Sequence, residues 1–360
     1  MTKQNSSLSE IDLNKSFQTL IEHPFTAIQL VDKEKFHTGL FGFACKIIPN
    51  FFSKLIESEE GFQSAELTPI YEKESIDLII KNESEIIAVF EMKLKTTVHN
   101  SGKTDISQCS SIKKKIDLLS KKQKFSKPPL FYLVTLFETK ECKEDGWKNI
   151  TYKKIAETLN ENLPLVEKKI DKRHYALISL WLEYLNELVM ISHCVSNAGL
   201  EAIDFKNLET SLDKIKLKGI FEDYRANLII NHSSISQFKA KEDFNLKTAN
   251  THGNGLLDLV LTKNDFDFGL QWQGNVLKLF AVPKIEKSKK GSTIRKKRDT
   301  FLSDLAEFYY KNQNVKFKFN RDGHFRSITI KDNWSFFSDL EIKIKELVEI
   351  MNFLKKFDPK

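Results

Sequence analysis

The sequence lacks closely spaced cysteines, long apolar runs and internal repeats. Its four cysteines, Cys45, Cys109, Cys142 and Cys194, stand far apart, without the close pairs of a zinc site, and they read as reduced thiols. No apolar run approaches a membrane span; the longest, such as Leu130 to Phe137, are strand-sized. The amino-terminal residues have no apolar signal-peptide core, so the expected location is the cytoplasm, with no membrane partner. What is present is ordinary for a folded chain: 41% apolar and 29% charged residues. At 360 residues the chain exceeds the usual single-domain length. The expectation is an α/β unit over 1–195 followed by an α+β region over 196–360.

The formal net charge of +7 is compatible with a polyanionic partner, and its distribution says more. Between Lys284 and Arg298 eight basic residues face only Glu286. Two readings stay open for this stretch. It is a solvated basic loop, or it is a phosphate-contacting arm in which Lys289, Lys290, Arg295, Lys296, Lys297 and Arg298 displace counterions from a nucleic acid.

Apolar spacing predicts a helix from Leu13 to Leu30, broken near Pro24, and a second from Lys33 to Pro49 that Phe51 to Ile56 continues. The period then changes. Ile70 and Tyr71 start a strand, and Ile76–Ile80 and Ile86–Met92 form an antiparallel hairpin around the polar turn Lys81–Glu85. A helix over 105–119 precedes Leu130–Leu136, a strand apolar enough to be buried on both faces. Helices are expected at Thr151–Asn162, Lys172–Cys194, Ser211–Ile230, Phe301–Lys311 and Asp339–Phe357. Strands are expected at Leu256–Leu261, Phe266–Trp272, Val276–Val282, Val315–Phe319 and Ser327–Ile330.

The hairpin carries the chemistry. Asp77 interrupts an apolar first strand, and Glu91 and Lys93 close an apolar second one. Carboxylates among such neighbours are costly to bury unless paired, protonated or bound to a cation. Residues two apart on a strand share a face, so Glu91 and Lys93 are neighbours. Across a turn centred near Glu83, Asp77 falls opposite Glu91 or one diagonal step away, provided the register has the right parity. Asp77 and Glu91 would then supply hard oxygen ligands to Mg²⁺, which commonly takes only one or two protein carboxylates. Lys93 would orient or help deprotonate an attacking water. A structural salt bridge at a strand end is the competing reading.

Asp77 followed by Glu91-Met92-Lys93 resembles the PD-(D/E)xK nuclease superfamily. Glu34-Lys35-Phe36-His37-Thr38 is similar to the E-x-x-H-S opening of an uncharacterised bacterial branch. Gln108 matches a glutamine found after the hairpin, and Trp147 through Thr151-Tyr152-Lys153-Lys154-Ile155 resembles the branch's W…I-S-Y-x-x-I stretch. The likeness covers roughly residues 20–190, with departures at Ile76, Met92 and Ile112 where the branch has Pro, Asn and an aromatic residue. It implies a restriction-endonuclease-like core, a mixed central sheet flanked by helices. It also implies Mg²⁺-dependent phosphodiester hydrolysis, Mn²⁺ substituting, with Glu34 an additional acidic residue and Gln108 a phosphate or water contact. His37 either orients a catalytic group or caps its helix, and Lys95 is the alternative to Lys93.

In the second half Asp258 resembles Asp77, but no E-x-K follows it, so that region reads as a recognition or dimerisation module. The expected function is a metal-dependent DNA endonuclease of bacterial defence or restriction, with RNA open to the same chemistry. Duplex cutting favours a homodimer, and a defence system would supply a partner protein. The competing expectation is a non-catalytic nucleic-acid-binding or assembly subunit that retains the fold.

Overall fold

A computed structural model describes residues 10–27, 34–58, 62–73, 75–94, 108–123, 125–138, 146–196, 205–235, 244–251, 254–263, 265–284, 292–311, 326–337 and 339–358. The chain divides into two compact units, Met1–Cys194 and Val195–Lys360.

The first unit is built on a five-stranded mixed sheet. Helices α1 (Glu10–Glu22), α2 (Pro24–Ala27), α3 (Glu34–Ile47) and α4 (Phe51–Leu55) lead into strands β1 (Leu67–Lys73), β2 (Ile76–Asn82) and β3 (Glu85–Lys93). Helix α5 (Gln108–Gln123) then carries the chain to β4 (Leu130–Thr135), and β5 (Lys148–Thr151) follows. Helices α6 (Tyr152–Asn162) and α7 (Lys172–Ser196) complete the unit. The strands lie in sequence order; β1–β2 and β2–β3 pair antiparallel, β3–β4 and β4–β5 parallel. The edge strand β5 was not expected. It has four residues, too few for an alternating pattern to show.

Both faces of β3 and β4 are covered, which explains their near-continuous apolar sequences. On one face Ile79, Val89, Phe131 and Leu133 pack against Cys109, Ile112 and Ile116 of α5. On the other, Phe90 meets Phe41 of α3 edge-on with ring centroids 5.0 Å apart and stacks on Tyr132 at 5.2 Å. Gly42 lets α3 approach β1, since a Cβ there would come within 2.7 Å of the Tyr71 ring.

Cys45 and Cys194 are free and buried, but Cys109 is disulfide-bonded. This corrects the reading of four reduced thiols, for spacing along a chain does not report distance in the fold.

The second unit is an antiparallel sheet with helices packed on one face. Its helices are α8 (Phe205–Lys214), α9 (Lys218–Asn231), α10 (Ser292–Tyr309) and α11 (Leu340–Leu354). Its strands β6 (Phe244–Thr251), β7 (Asn254–Lys263), β8 (Phe266–Gln273), β9 (Val276–Pro283) and β10 (Arg326–Asp332) are ordered β10-β9-β8-β7-β6. Alternate residues Leu257, Leu259, Leu261, then Phe268, Leu270, Trp272, then Leu277, Leu279, Ala281 face Ile229, Leu305, Leu347 and Met351 of the helices. Strand β6 was not expected, and Val315–Phe319 lies outside the described residues.

Ser211–Ile230, expected as one helix, is two. Lys216 sits at φ 60°, the Leu217 amide bonds the Leu212 carbonyl at 2.9 Å, and the Lys216 amide bonds that of Asp213 at 3.0 Å. This is a Schellman termination with lysine where glycine is usual, so no glycine marked the break. A second correction concerns the basic stretch, whose last part is the start of α10 and not a loop.

Candidate active site

Asp77 stands on β2, Glu91 and Lys93 on β3, Glu34 on the first turn of α3, and Gln108 on the first turn of α5. A single irregularity in the hairpin decides whether they meet. Beyond the turn, Asn82 pairs with Glu85 and Lys81 with Ile86; the register then jumps, and Ile80 pairs with Ala88. Ile87 is the extra residue of a β-bulge. Past it, Ile79 opposes Val89 and Leu78 opposes Phe90, so the next step sets Asp77 opposite Glu91. Were Ile87 paired in the ordinary register, Asp77 would oppose Phe90, whose side chain faces α3. With the bulge, the carboxylates share the α5 face.

Lys93 Nζ lies 2.7 Å from Glu91 Oε1, 3.5 Å from Glu34 Oε2 and 3.8 Å from Asp77 Oδ2. Each carboxylate is also held through one oxygen by an uncharged donor. The Met92 amide donates to Asp77 Oδ2 at 2.8 Å, and the Leu94 amide donates to Glu34 Oε1 at 3.3 Å. The Gln108 side-chain amide donates to Glu91 Oε1. Glu91 is 0% exposed, and its Oε2 has no hydrogen-bond partner. The pattern leaves one oxygen of each carboxylate directed away from these anchors.

The electrostatics follow from crowding and burial. Desolvation, then the nearby Asp77 charge, lifts the Glu91 carboxyl to about 7 against the pull of Lys93. Burial likewise raises Asp77, opposed by Lys93 and the Met92 amide. Burial disfavours the Lys93 ammonium, but Glu91, Glu34 and Asp77 together outweigh it and hold the amine above its ordinary value.

Among the described residues no group of three or more His, Cys, Asp or Glu side chains is already arranged to hold a metal ion. Two carboxylates are nonetheless the usual protein share for Mg²⁺, water filling the rest of the octahedron. The unpartnered Glu91 oxygen beside Asp77 fits that demand, as a buried acceptor without a donor is otherwise costly.

Other expected residues fall elsewhere. His37 is fully buried and accepts a hydrogen bond at Nδ1 from Trp181 Nε1 at 3.2 Å, tying α3 to α7. An indole N–H only donates, so Nδ1 is the acceptor. Lys95, Lys289 and Lys290 lie outside the described residues. Arg295, Lys296 and Lys297 are exposed on α10. Arg298 is corrected as a nucleic-acid contact: its side chain is 2% exposed and pairs with Asp299 at 2.7 Å, because the helix turns that position toward the sheet.

Sequence reasoning missed the Met92 and Leu94 amides, which no residue type could signal. It also missed a cluster in the second unit. Lys218 lies 3.9 Å from Glu209 and 3.6 Å from the buried Glu222, whose other oxygen accepts from the Gly255 amide at 2.6 Å. Only the Lys218/Glu222 spacing of four on a helix hinted at it. The cluster joins α8, α9 and the start of β7. Asp258 accepts from Gln271 at 3.1 Å, and burial lifts it to about 6.

No helix among the described residues is long and apolar enough to cross a membrane. Comparison with known proteins returns no matching family model, no matching curated protein and no matching solved structure.

Proposed function

We propose that the first unit is a metal-dependent phosphodiesterase of restriction-endonuclease-like architecture that cuts nucleic acid, with DNA the preferred substrate. The observation that carries this reading is the placement of Asp77 opposite Glu91, on one sheet face, with Lys93 at 2.7 Å and one Glu91 oxygen unpartnered. A purely structural ion pair needs no third carboxylate, and Glu34 adds one.

In this reading Asp77 and Glu91 hold Mg²⁺, or Mn²⁺ in its place. When bound, the ion polarises the phosphoryl oxygen and stabilises the leaving oxygen. Gln108 keeps the Glu91 carboxylate turned by occupying one of its oxygens, and the Met92 amide does the same for Asp77. Lys93 supplies a positive charge for the reacting phosphate and orients the attacking water. Arg295, Lys296 and Lys297, exposed on α10, belong to the proposed phosphate-contacting arm, to which the same proposal assigns Lys289 and Lys290. A role in bacterial defence, a cytoplasmic location, a homodimer and a partner protein belong to the same proposal through its resemblance to PD-(D/E)xK nucleases.

A plasmid-nicking assay tests it, with MgCl₂ or MnCl₂ and with excess EDTA. Wild type is expected to nick only with metal. Asp77→Ala, Glu91→Ala and Lys93→Ala are expected to lose at least about 100-fold in rate while remaining folded. Equal nicking by wild type and Lys93→Ala would overturn the assignment.

A further inference from the structure

We propose that Lys93 is a resident counter-ion that neutralises the acidic cluster in the metal-free protein and withdraws when a divalent ion enters. The inference rests on the metal-site reading above and concerns how that site is gated.

The amine's position carries the argument. Lys93 Nζ lies within 3.8 Å of three carboxylates from three elements, closest to Glu91 at 2.7 Å. A lysine devoted to a phosphate or water would extend away from the carboxylates. This one folds back among the acids, and its side chain is 11% exposed.

The anchors show what it displaces. Glu91 Oε1 already receives Gln108, Asp77 Oδ2 already receives Met92 N, and Glu34 Oε1 already receives Leu94 N. The carboxylates therefore stay in place without Lys93. The ammonium neutralises their repulsion, a task a divalent ion would perform with twice the charge. Both cations serve the same carboxylates: a divalent ion on the open oxygens of Asp77 and Glu91 would lie close to an ammonium 2.7 Å from Glu91 Oε1 and 3.8 Å from Asp77 Oδ2, and like charges that close repel. Once displaced, the amine is free to reach a phosphate. Metal entry and the release of Lys93 toward substrate then become one event.

Competition predicts an opposite sign from the usual effect of deleting an active-site residue. Calorimetric titration of the full chain with MnCl₂ alone, without nucleic acid, compares wild type, Lys93→Ala and Lys93→Arg. Removing a unit charge about 4 Å from the ligand oxygens is expected to tighten Mn²⁺ binding of Lys93→Ala by at least about tenfold. Lys93→Arg keeps the charge and is expected to bind no more tightly than wild type. Equal affinity in wild type and Lys93→Ala, or weaker binding in the variant, overturns the inference and leaves the metal site standing. No Mn²⁺ binding in any of the three overturns the metal reading itself, and this inference with it. Crystals of wild type soaked in MnCl₂ give a second measurement that does not depend on the variants folding. Anomalous scattering should place Mn²⁺ between Asp77 and Glu91 with the Lys93 amine moved off Glu91. An amine still hydrogen-bonded to Glu91 beside a bound Mn²⁺ overturns the proposal.

Discussion

Replacing Glu91 with glutamine should remove a pH dependence from the stability of the first unit. Burial and Asp77 raise the Glu91 carboxyl from an ordinary 4.5 to about 7. The sign is fixed by which state holds the proton. Between pH 4.5 and 7 the folded chain binds a proton at Glu91 that the unfolded chain has released, so stability falls as pH rises through that window. A difference of two and a half units corresponds to about 3 kcal/mol, complete above pH 7 and absent below pH 4.5. No solvent discount applies, because the residue is fully buried. Glu91→Gln keeps the shape and cannot ionise. Denaturant melts in EDTA at pH 5 and pH 8, followed by tryptophan fluorescence of Trp147 and Trp181, give the two stabilities. Wild type is expected to lose more than Glu91→Gln between these pH values, by roughly 2–3 kcal/mol. The raised carboxyls of the second unit, Glu222 and Asp258, are present in both proteins and cancel in the difference. Equal pH dependence in the two proteins would refute the claim that Glu91 is held in its protonated range by burial.

Two substitutions in the second unit probe the backbone. Gly269 has φ +153°, and a Cβ there would come within 2.0 Å of the Leu259 carbonyl oxygen, so Gly269→Ala is expected to destabilise this unit by roughly 2–4 kcal/mol in chemical denaturation. An unchanged midpoint would mean that β7 and β8 do not approach as described. Lys216 is exposed and left-handed at φ 60°, so Lys216→Gly should stabilise by about 0.5–1 kcal/mol, read as a rise in the thermal midpoint. A loss of stability would show that α8 and α9 do not separate there.

Much of the secondary structure was legible because it depends on local pattern. The apolar alternation of Leu257, Leu259 and Leu261 marks a strand with one buried face, and the unbroken apolar run at Leu130 marks one covered twice. Elements that lack such a pattern were missed. Strand β5 is too short, β6 is largely polar, and the α8 end has lysine in the place of glycine. Arg298 was misread because a run of basic residues looks uniform, while a helix sends successive side chains to different faces and buried this one.

By itself, the sequence determined that Asp77, Glu91 and Lys93 lie on a hairpin of otherwise apolar strands, because composition and period two are properties of neighbouring residues. Only the tertiary structure decided that they converge. One extra residue, Ile87, sets the parity of the whole strand pair, and no local preference announces it. Glu34 joins from 59 residues away, and backbone amides of Met92 and Leu94 fix which oxygens remain open. Such contacts arise when separate elements pack, so they are set by the geometry of the assembled fold.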